Sequence, residues 1–172
     1  MPPNPTLRQQ EVVLMPDPAE RADATLAFIG VIRSPWQREN CPKNLTQARR
    51  RDAGRAVVEI QPEFRPGLTG LAVGDLIWLL LWFDRARRDI ILQAPAHADG
   101  LRGAFALRSP VRPNPIAMEA VQILAIDPNS GTFEIDATDG FDGTPVLDIK
   151  PWRGGIDIPP PAWTWRLVAP AL

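Results

Sequence analysis

The sequence predicts a mainly β protein: a single-domain β-barrel with short helices and extended proline-rich loops. Short runs of apolar, β-forming residues recur along the chain, and turn signals rich in Pro, Gly and Asp separate them. The chain has 172 residues, 45% of them hydrophobic, which is enough for one compact domain with its own core. Short strands joined in this way are typical of an antiparallel-rich barrel or sandwich.

The chain divides into three predicted parts. Residues 1–24 mix proline, amide and charged side chains without a sustained period, so we expect a flexible N-terminal arm. Residues 25–152 form the predicted barrel domain. Residues 153–172 are too rich in proline and glycine to fold alone, so we expect a tail that packs on the domain or on a partner subunit. Trp163 and Trp165 would anchor that tail, and burial in the core is their alternative role.

The predicted strands follow from the β-forming runs in chain order. They are residues 28–32, 57–60, 76–83, 103–107, 120–126, 133–137 and 146–149. Polar and apolar residues alternate after Phe133, so Glu134, Asp136 and Thr138 should share a face that is wet or functional.

Two further stretches predict specific elements. The run 76–83 lacks polar alternation, so we expect a strand that is buried on both faces or lies at a subunit interface. Helix signals are few, and residues 44–51 predict one short helix with Asn44 as its N-cap.

Composition excludes several kinds of site. A single cysteine, Cys41, cannot form an intramolecular disulfide or a multi-cysteine zinc site, and a single histidine, His97, argues against a histidine-rich metal centre, so we expect no metal. A catalytic pair of the two is disfavoured because His97 lies far along the chain, where we expect a loop. No secretion signal and no apolar run of membrane-spanning length is evident, so we expect a soluble cytoplasmic protein without a membrane partner.

The net charge of −1 gives the whole molecule little attraction for nucleic acid, so RNA binding would need a local cationic patch. The densest clusters of cationic side chains are Arg49, Arg50 and Arg51, followed by Arg55, and then Arg85, Arg87 and Arg88. We treat them as candidate phosphate contacts, and an ordinary solvated surface is the alternative for each cluster.

The segment 108–117 is the most unusual in the chain because it has three prolines within six residues. Each proline fixes its own φ and biases the preceding residue toward extended backbone, so the segment should lose little entropy on binding a ligand. A strand-like run would put Arg108, Arg112 and Asn114 on one side, with the two arginine Cα atoms about 13 Å apart. That span suits a nucleoside-sized ligand or a phosphate, and a solvated surface connection is the alternative.

Three segments together resemble the TsaA/TrmO-like family. They read Ile29-Gly-Val-Ile-Arg-Ser-Pro35, Phe105-Ala-Leu-Arg-Ser-Pro-Val-Arg-Pro-Asn-Pro-Ile116 and Asp142-Gly-Thr-Pro-Val-Leu-Asp-Ile-Lys-Pro-Trp152. The resemblance spans about residues 26–152. It implies a β-barrel that binds S-adenosylmethionine (SAM) without a Rossmann fold and that is typically a homodimer. The family's characterised activity is N6-methylation of threonylcarbamoyl-adenosine beside the anticodon of certain tRNAs.

The resemblance also implies which residues contact the cofactor. They are Pro42, Lys43 and Asn44; Asp84 and Arg85; Arg108 and Met118; and Asp142, Gly143, Thr144 and Pro145. Among these, Arg108 has the chemistry to bind the cofactor carboxylate. An exocyclic amine loses a proton when it is methylated, and Asp139, Asp142 or Asp148 is a candidate acceptor, with Asp142 the favoured catalytic residue.

Substrate contacts are predicted at Arg112 and Asn114 and in the cluster Arg49, Arg50 and Arg51. The chain departs from the usual family sequence at two implied cofactor positions. Lys43-Asn44 stands where Arg-Gln is usual, and Asp84-Arg85 stands where His-Gln is usual. The predicted function is that of a SAM-dependent methyltransferase acting on tRNA. A small-molecule methyl acceptor, or a SAM-binding module without catalysis, are the alternatives.

Overall fold

A computed structural model describes residues 7–51, 54–96 and 99–159. Its strands are β1 (Val12–Val13), β2 (Gly30–Arg33), β3 (Ala56–Ile60), β4 (Leu76–Trp82), β5 (Ile90–Gln93), β6 (Arg102–Gly103), β7 (Ile116–Asp127), β8 (Thr132–Ile135) and β9 (Pro145–Pro151). The α-helices of the described part are α1 (Leu45–Arg49) and α2 (Gly154–Asp157), and Pro18–Glu20, Pro62–Leu68 and Ala104–Ala106 form 3₁₀ helices.

Six strands close into a barrel in the order β2-β3-β8-β7-β4-β9, and β9 pairs back with β2. Every pair of neighbours is antiparallel. Strands β2, β4 and β8 therefore end at the same end of the barrel. The connections that follow them, residues 34–55, 83–115 and 136–144, all leave from this end, which we call the loop end. The predicted β-barrel is confirmed.

The core is the inside of this barrel, where alternate residues of each strand meet. Ile77, Leu79 and Leu81 of β4 and Phe133 and Ile135 of β8 are almost completely buried there. We expected β4 to be buried on both faces or to lie at an interface. Burial on both faces is wrong for the single chain, because the residues that alternate with this buried set are only half-buried on the outside of the barrel.

Several other predicted elements can be compared with the structure. Strands occur at six of the seven predicted runs with shifted ends, but the run 103–107 is mostly wrong because a 3₁₀ helix occupies Ala104–Ala106. Thr138 was expected on a wet face with Glu134, whereas it lies beyond the end of β8 and is fully buried. The N-cap is confirmed, since Asn44 Oδ1 accepts a 2.9 Å hydrogen bond from the backbone N–H of Gln47.

A second, three-stranded sheet of order β1-β5-β6 lies beside the barrel. In this part the structure differs from the flexible arm that we expected, because β1 pairs with β5. Glu11 Oε1 accepts a 3.1 Å hydrogen bond from Ala94 N, and Leu14 N donates to Asp89 O at 2.6 Å. Apolar residues at 12–14 and these polar contacts attach the segment to the domain.

Some predictions lie outside the described residues, namely those on His97 and on Trp163 and Trp165 in the C-terminal segment. Within the part of the chain that is described, no helix has both the length and the apolar character needed to cross a membrane.

Candidate functional site

The turn between β8 and β9 is the centre of the loop end. Thr144 N donates a 3.0 Å hydrogen bond to Phe141 O and closes the turn, while Gly143 adopts a φ of 78° that favours glycine. Asp142 N donates to Trp36 O at 2.9 Å, and Gly143 N donates to Ile32 O at 2.8 Å. The turn is therefore fixed by its own hydrogen bonds and by bonds to the chain around the end of β2.

The connection after β2 contacts this turn through its side chains as well. Ser34 Oγ donates a 2.8 Å hydrogen bond to Gly140 O, and Ser34 N donates to Asp142 Oδ1 at 3.3 Å. Trp36 Nε1 donates to Thr138 O at 2.8 Å from a buried position. The Asp142 carboxylate is thus oriented by a backbone N–H. Neither Ser34 nor Trp36 was identified as a site residue from the sequence.

The predicted segment Pro42 to Asn44 lies beside the same turn. Its neighbour Cys41 donates from Sγ to Asp139 O at 3.1 Å. Burial, followed by the negative charge of Asp139, raises the pKa of the Cys41 thiol to about 12. A thiol with that pKa stays protonated at neutral pH, so this cysteine is not an activated nucleophile. Pro42 is buried and Lys43 is exposed.

Asp84 and Arg85 follow β4 directly and are both exposed. The Arg85 guanidinium carbon lies 6.0 Å from the centroid of the Phe141 ring, at the limit of a cation–π contact. This contact brings the predicted pair to the turn that carries Asp142. The structure therefore brings three of the four predicted cofactor segments together at the loop end.

The fourth predicted cofactor group consists of Arg108 and Met118, which contact each other. Arg108 Nη2 donates a 2.9 Å hydrogen bond to Met118 O, and the Met118 side chain lies on the outer face of β7, where it is 42% exposed. Met118 immediately precedes Glu119, which contacts the turn from the inside of the barrel. Arg108 and Met118 therefore lie next to the other three segments but on the outer surface.

The strand-like run expected over 108–114 is wrong, because bends replace extended strand there and no neighbouring strand pairs with it. Arg112 donates to Ala104 O at 3.1 Å, and Asn114 Oδ1 accepts from Arg88 at 3.3 Å. The three prolines lack N–H groups, so no ladder forms, and the segment is held by these side-chain bonds together with a 3.2 Å backbone bond from Arg112 N to Arg87 O.

The cationic cluster after Asn44 makes internal contacts. Arg49 forms an ion pair with Asp136 at 2.6 Å, and Arg51 donates to Asn40 O at 2.6 Å while its guanidinium lies over the Trp36 ring. Arg50 is exposed at the end of α1. Two of these three predicted phosphate contacts therefore hold the loop end together.

Glu119 is the residue at the loop end that the sequence reasoning missed most clearly. It is only 3% exposed, and its Oε1 accepts 3.1 Å hydrogen bonds from Thr138 Oγ1 and Asp139 N. Burial, and then the Asp139 carboxylate, raises the pKa of Glu119 well above its usual range. The sequence does contain a signal for its burial, because Glu119 has the same strand parity as the core residues Val121 and Ile123.

A groove of about 370 Å³ opens beside the turn. It is lined by Arg33, Ser34, Pro35, Arg55, Ala56, Val57, Glu134 and Asp142. Asp142 is the predicted site residue among them, which makes its carboxylate accessible from outside the barrel. Among residues 7–51, 54–96 and 99–159, no group of three or more His, Cys, Asp or Glu side chains could hold a metal ion.

The chain is similar to known proteins over most of its length. Residues 31–158 match the family model described as the tRNA-methyltransferase O N-terminal domain. The probable S-adenosyl-L-methionine-binding protein VirR of Rhizobium radiobacter is 38% identical over 149 residues, covering 86% of this chain and 80% of VirR. A probable S-adenosyl-L-methionine-binding protein of Archaeoglobus fulgidus is 40% identical over 135 residues, covering 77% of this chain.

A crystal structure of TrmO from Pseudomonas aeruginosa superimposes with a TM-score of 0.62 at 30% identity, over 85% of this chain. The chain spans only part of two of these relatives, 35% of the Archaeoglobus protein and 62% of the TrmO chain. The family match covers far more than half of the chain. The chain therefore belongs to the tRNA-methyltransferase O N-terminal domain family.

Proposed function

We propose that this protein binds SAM at the loop end of the barrel and acts as a SAM-dependent methyltransferase. The observation that carries the proposal is the meeting of residues 41–44, 84–85 and 139–144 at one end of the barrel, through the contacts of Cys41 and Arg85 with the turn. The names of the similar proteins support the same cofactor.

The chemistry of these residues fits SAM. Arg108 uses one N–H group on Met118 O, and its guanidinium retains other donors for a carboxylate. Asp84 and Asp142 supply negative charge near a sulfonium cation. The Cα of Gly143 has open space around it, since no heavy atom lies within 4 Å of where a Cβ would be, so a ligand can approach the backbone of the turn closely.

When bound, SAM supplies an electrophilic methyl group for an acceptor nitrogen. Much of the catalysis of such a transfer comes from positioning. The acceptor nitrogen loses a proton in this transfer, and we assign the removal of that proton to a carboxylate of this chain. Asp142 is the proposed base. Asp142 lines the groove and is oriented by Ser34 N, whereas Asp148 forms an ion pair with Lys150 in β9.

For the acceptor, we propose the N6 atom of threonylcarbamoyl-adenosine in tRNA, as the family resemblance implies. The exposed cations at the loop end include Lys43, Arg50 and Arg85. Contacts of such groups with phosphates predict that RNA affinity falls steeply as salt rises. Equal affinity at low and moderate salt would count against tRNA and in favour of a small-molecule acceptor.

We also propose that the protein is a cytoplasmic homodimer. The outer face of β4 and β7 carries half-buried Trp78, Leu80 and Trp82, with Ile116 and Met118 more than 40% exposed. An apolar surface of this kind is typical of an interaction site. Met118 belongs to both this face and the implied cofactor set, so the cofactor site would lie near the subunit boundary. Sedimentation equilibrium of wild type and Leu80→Glu tests this, because a monomeric wild type would contradict it.

The test of SAM binding is a calorimetric titration of wild type, Arg108→Ala and the control Arg102→Ala. Arg102 is also an exposed arginine in the same connection, but its guanidinium contacts only Leu101 O among the described side-chain bonds. We expect saturable binding by wild type and Arg102→Ala, and at least about tenfold weaker binding by Arg108→Ala because a charged hydrogen bond is lost. A folded wild type that does not bind SAM would contradict the proposal.

A further inference from the structure

Glu119 is a buried acid for which the proposed methyl transfer has no use. It lies on β7 opposite Leu79 of β4, with its side chain inside the barrel and only 3% of its surface exposed. Oε1 accepts two hydrogen bonds, from Thr138 Oγ1 and Asp139 N, whereas Oε2 is buried without any hydrogen-bond partner among the described residues. A buried carboxylate oxygen without a donor is costly.

Among the residues that the structure describes, no cation forms an ion pair or a hydrogen bond with Glu119 to offset a charge on it. The apolar Leu79 and Leu81 flank it from β4, and the titratable groups near it are Asp139 in the turn and Cys41 in the connection after β2. Arg51 is the cation that lowers the pKa of Cys41, and its guanidinium lies over the Trp36 ring. The negative charge of the Asp139 carboxylate acts on Glu119 as well. A buried carboxyl group that faces a like charge and no cation favours its neutral, protonated form.

We propose that Glu119 is a neutral carboxylic acid that positions the turn 139–144 for cofactor binding through its hydrogen bonds with Thr138 Oγ1 and Asp139 N. This inference rests on the proposed function. Thr138 Oγ1 donates to Glu119 and accepts a 3.0 Å hydrogen bond from Gly140 N. Glu119 therefore holds three successive residues, Thr138, Asp139 and Gly140, which lead directly into the part of the turn that carries Asp142.

Loss of the Glu119 proton would place a charge inside the barrel close to the Asp139 carboxylate. The cost of that buried charge, and its repulsion by Asp139, would displace the turn. Glu119 is thus a positioning residue, because it acts on the site through the turn and does not face the groove. The residues that line the groove do not include it.

The test compares wild type with Glu119→Gln and with the control Glu59→Gln. Glutamine keeps an acceptor for Thr138 and Asp139 N and stays neutral at every pH. Glu59 lies on β3 and forms an exposed ion pair with Arg33, so it is a glutamate that is neither buried nor hydrogen-bonded to the turn. Infrared spectra without SAM should show the carbonyl stretch of a protonated carboxylic acid at neutral pH in wild type and Glu59→Gln. This band should be missing in Glu119→Gln.

The second readout is SAM affinity as a function of pH. We expect the affinity of wild type to fall by about tenfold on the alkaline side, where Glu119 loses its proton, and the affinity of Glu119→Gln to stay level across the same range. Absence of the infrared band from wild type, its persistence in Glu119→Gln, or identical pH profiles of the two proteins would overturn the proposal.

A failure of the proposed function would look different, because wild type would then not bind SAM at any pH while the infrared band was still present. In that case amide hydrogen exchange of Gly140 and Gly143 decides the inference. Exchange in wild type should accelerate relative to Glu119→Gln as pH rises through the deprotonation of Glu119, since the turn is then released. Exchange profiles that remain parallel in the two proteins would overturn the positioning role.

Discussion

Trp36 Nε1 donates a 2.8 Å hydrogen bond to Thr138 O across 102 residues of sequence, and this bond joins two of the connections that form the candidate site. Both residues are buried, Trp36 with 4% and Thr138 with 0% of its surface exposed. The bond links the connection after β2, where Ser34 N orients Asp142, to Thr138, which donates to Glu119. The loop end is therefore one hydrogen-bonded unit, and a change at one connection should be felt at the other.

Trp36→Phe should destabilise the protein by about 1–3 kcal/mol, because it leaves the buried Thr138 carbonyl without its donor. SAM affinity should fall as well, since the turn loses one of its attachments. Urea denaturation and calorimetric titration measure the two effects. Ser34→Ala removes the part-buried bonds of the hydroxyl with Gly140 O and Trp36 N, and it should cost less stability than Trp36→Phe, whose bond to Thr138 O is fully buried. Unchanged stability and affinity in Trp36→Phe would refute the view of the loop end as one unit.

Asp142→Asn should fold normally, because asparagine Oδ1 can still accept the hydrogen bond from Ser34 N. It should bind SAM more weakly than wild type, because one negative charge near the sulfonium is lost, so rates are compared at saturating SAM. Methyl transfer should slow by about 100-fold if the carboxylate accepts the proton. Single-turnover assays with tRNA measure this, with Asp23→Asn, a surface ion-pair variant, as the matched control. Equal rates in Asp142→Asn and wild type would remove Asp142 as the base.

Much of the barrel could be predicted from sequence, because alternation and turn residues are local signals. The half-buried outer face of β4 could not, since Trp78 and Trp82 have the same apolar character as the core residues between them. The short strands at Val12 and at Ile90 were missed because two to four residues give no period, and their pairing depends on contacts across the fold.

For the site, the motifs located Asp142 and Arg108, but their partners are distant in sequence. Thr138 was assigned to the wrong face because the strand parity was extended beyond Ile135, where β8 ends. Glu119 was missed because a single acidic residue in an apolar strand gives no indication of what lies opposite it. Only the closed barrel brings Glu119 to Asp139.

Cys41 should be unreactive in the folded protein. Its thiol has a pKa of about 12, raised mainly by burial, so the thiolate fraction is negligible at pH 8. Titration with a thiol-reactive disulfide reagent should give a reaction many times slower in buffer than in denaturant, where the thiol has its ordinary pKa. Rapid modification of the native protein at pH 8 would contradict the burial of this sulfur. Cys41→Ser should retain methyl transfer, since no nucleophilic role is assigned to the thiol.

The ion pair between Arg87 and Asp89 should give acid-dependent stability to the small sheet. Its side chains are 13% and 18% exposed, and the hydrogen bond from Arg87 holds the pKa of Asp89 below its ordinary value. A lowered carboxyl pKa contributes stability above the unfolded value of about 3.9, and this is lost as pH falls through the lower folded value. Asp89→Asn should therefore cost about 1–2 kcal/mol at pH 7 and less below pH 4, measured by urea denaturation. A cost that does not change with pH would contradict this account.

Gly143 in the turn and Gly30 in β2 require glycine for different reasons, so alanine substitutions at the two positions form a matched pair. Gly143→Ala should cost about 1–2 kcal/mol, because φ is 78° but no heavy atom lies within 4 Å of the added Cβ. Gly30→Ala should cost more, over about 3 kcal/mol, because its Cβ would lie 2.2 Å from Glu59 O and force β2 away from β3. Thermal denaturation gives both values. Because Gly143→Ala leaves the barrel intact, its SAM affinity should fall at unchanged secondary structure. If Gly143→Ala instead bound SAM as tightly as wild type, the shape of the turn at Gly143 would not matter for the cofactor.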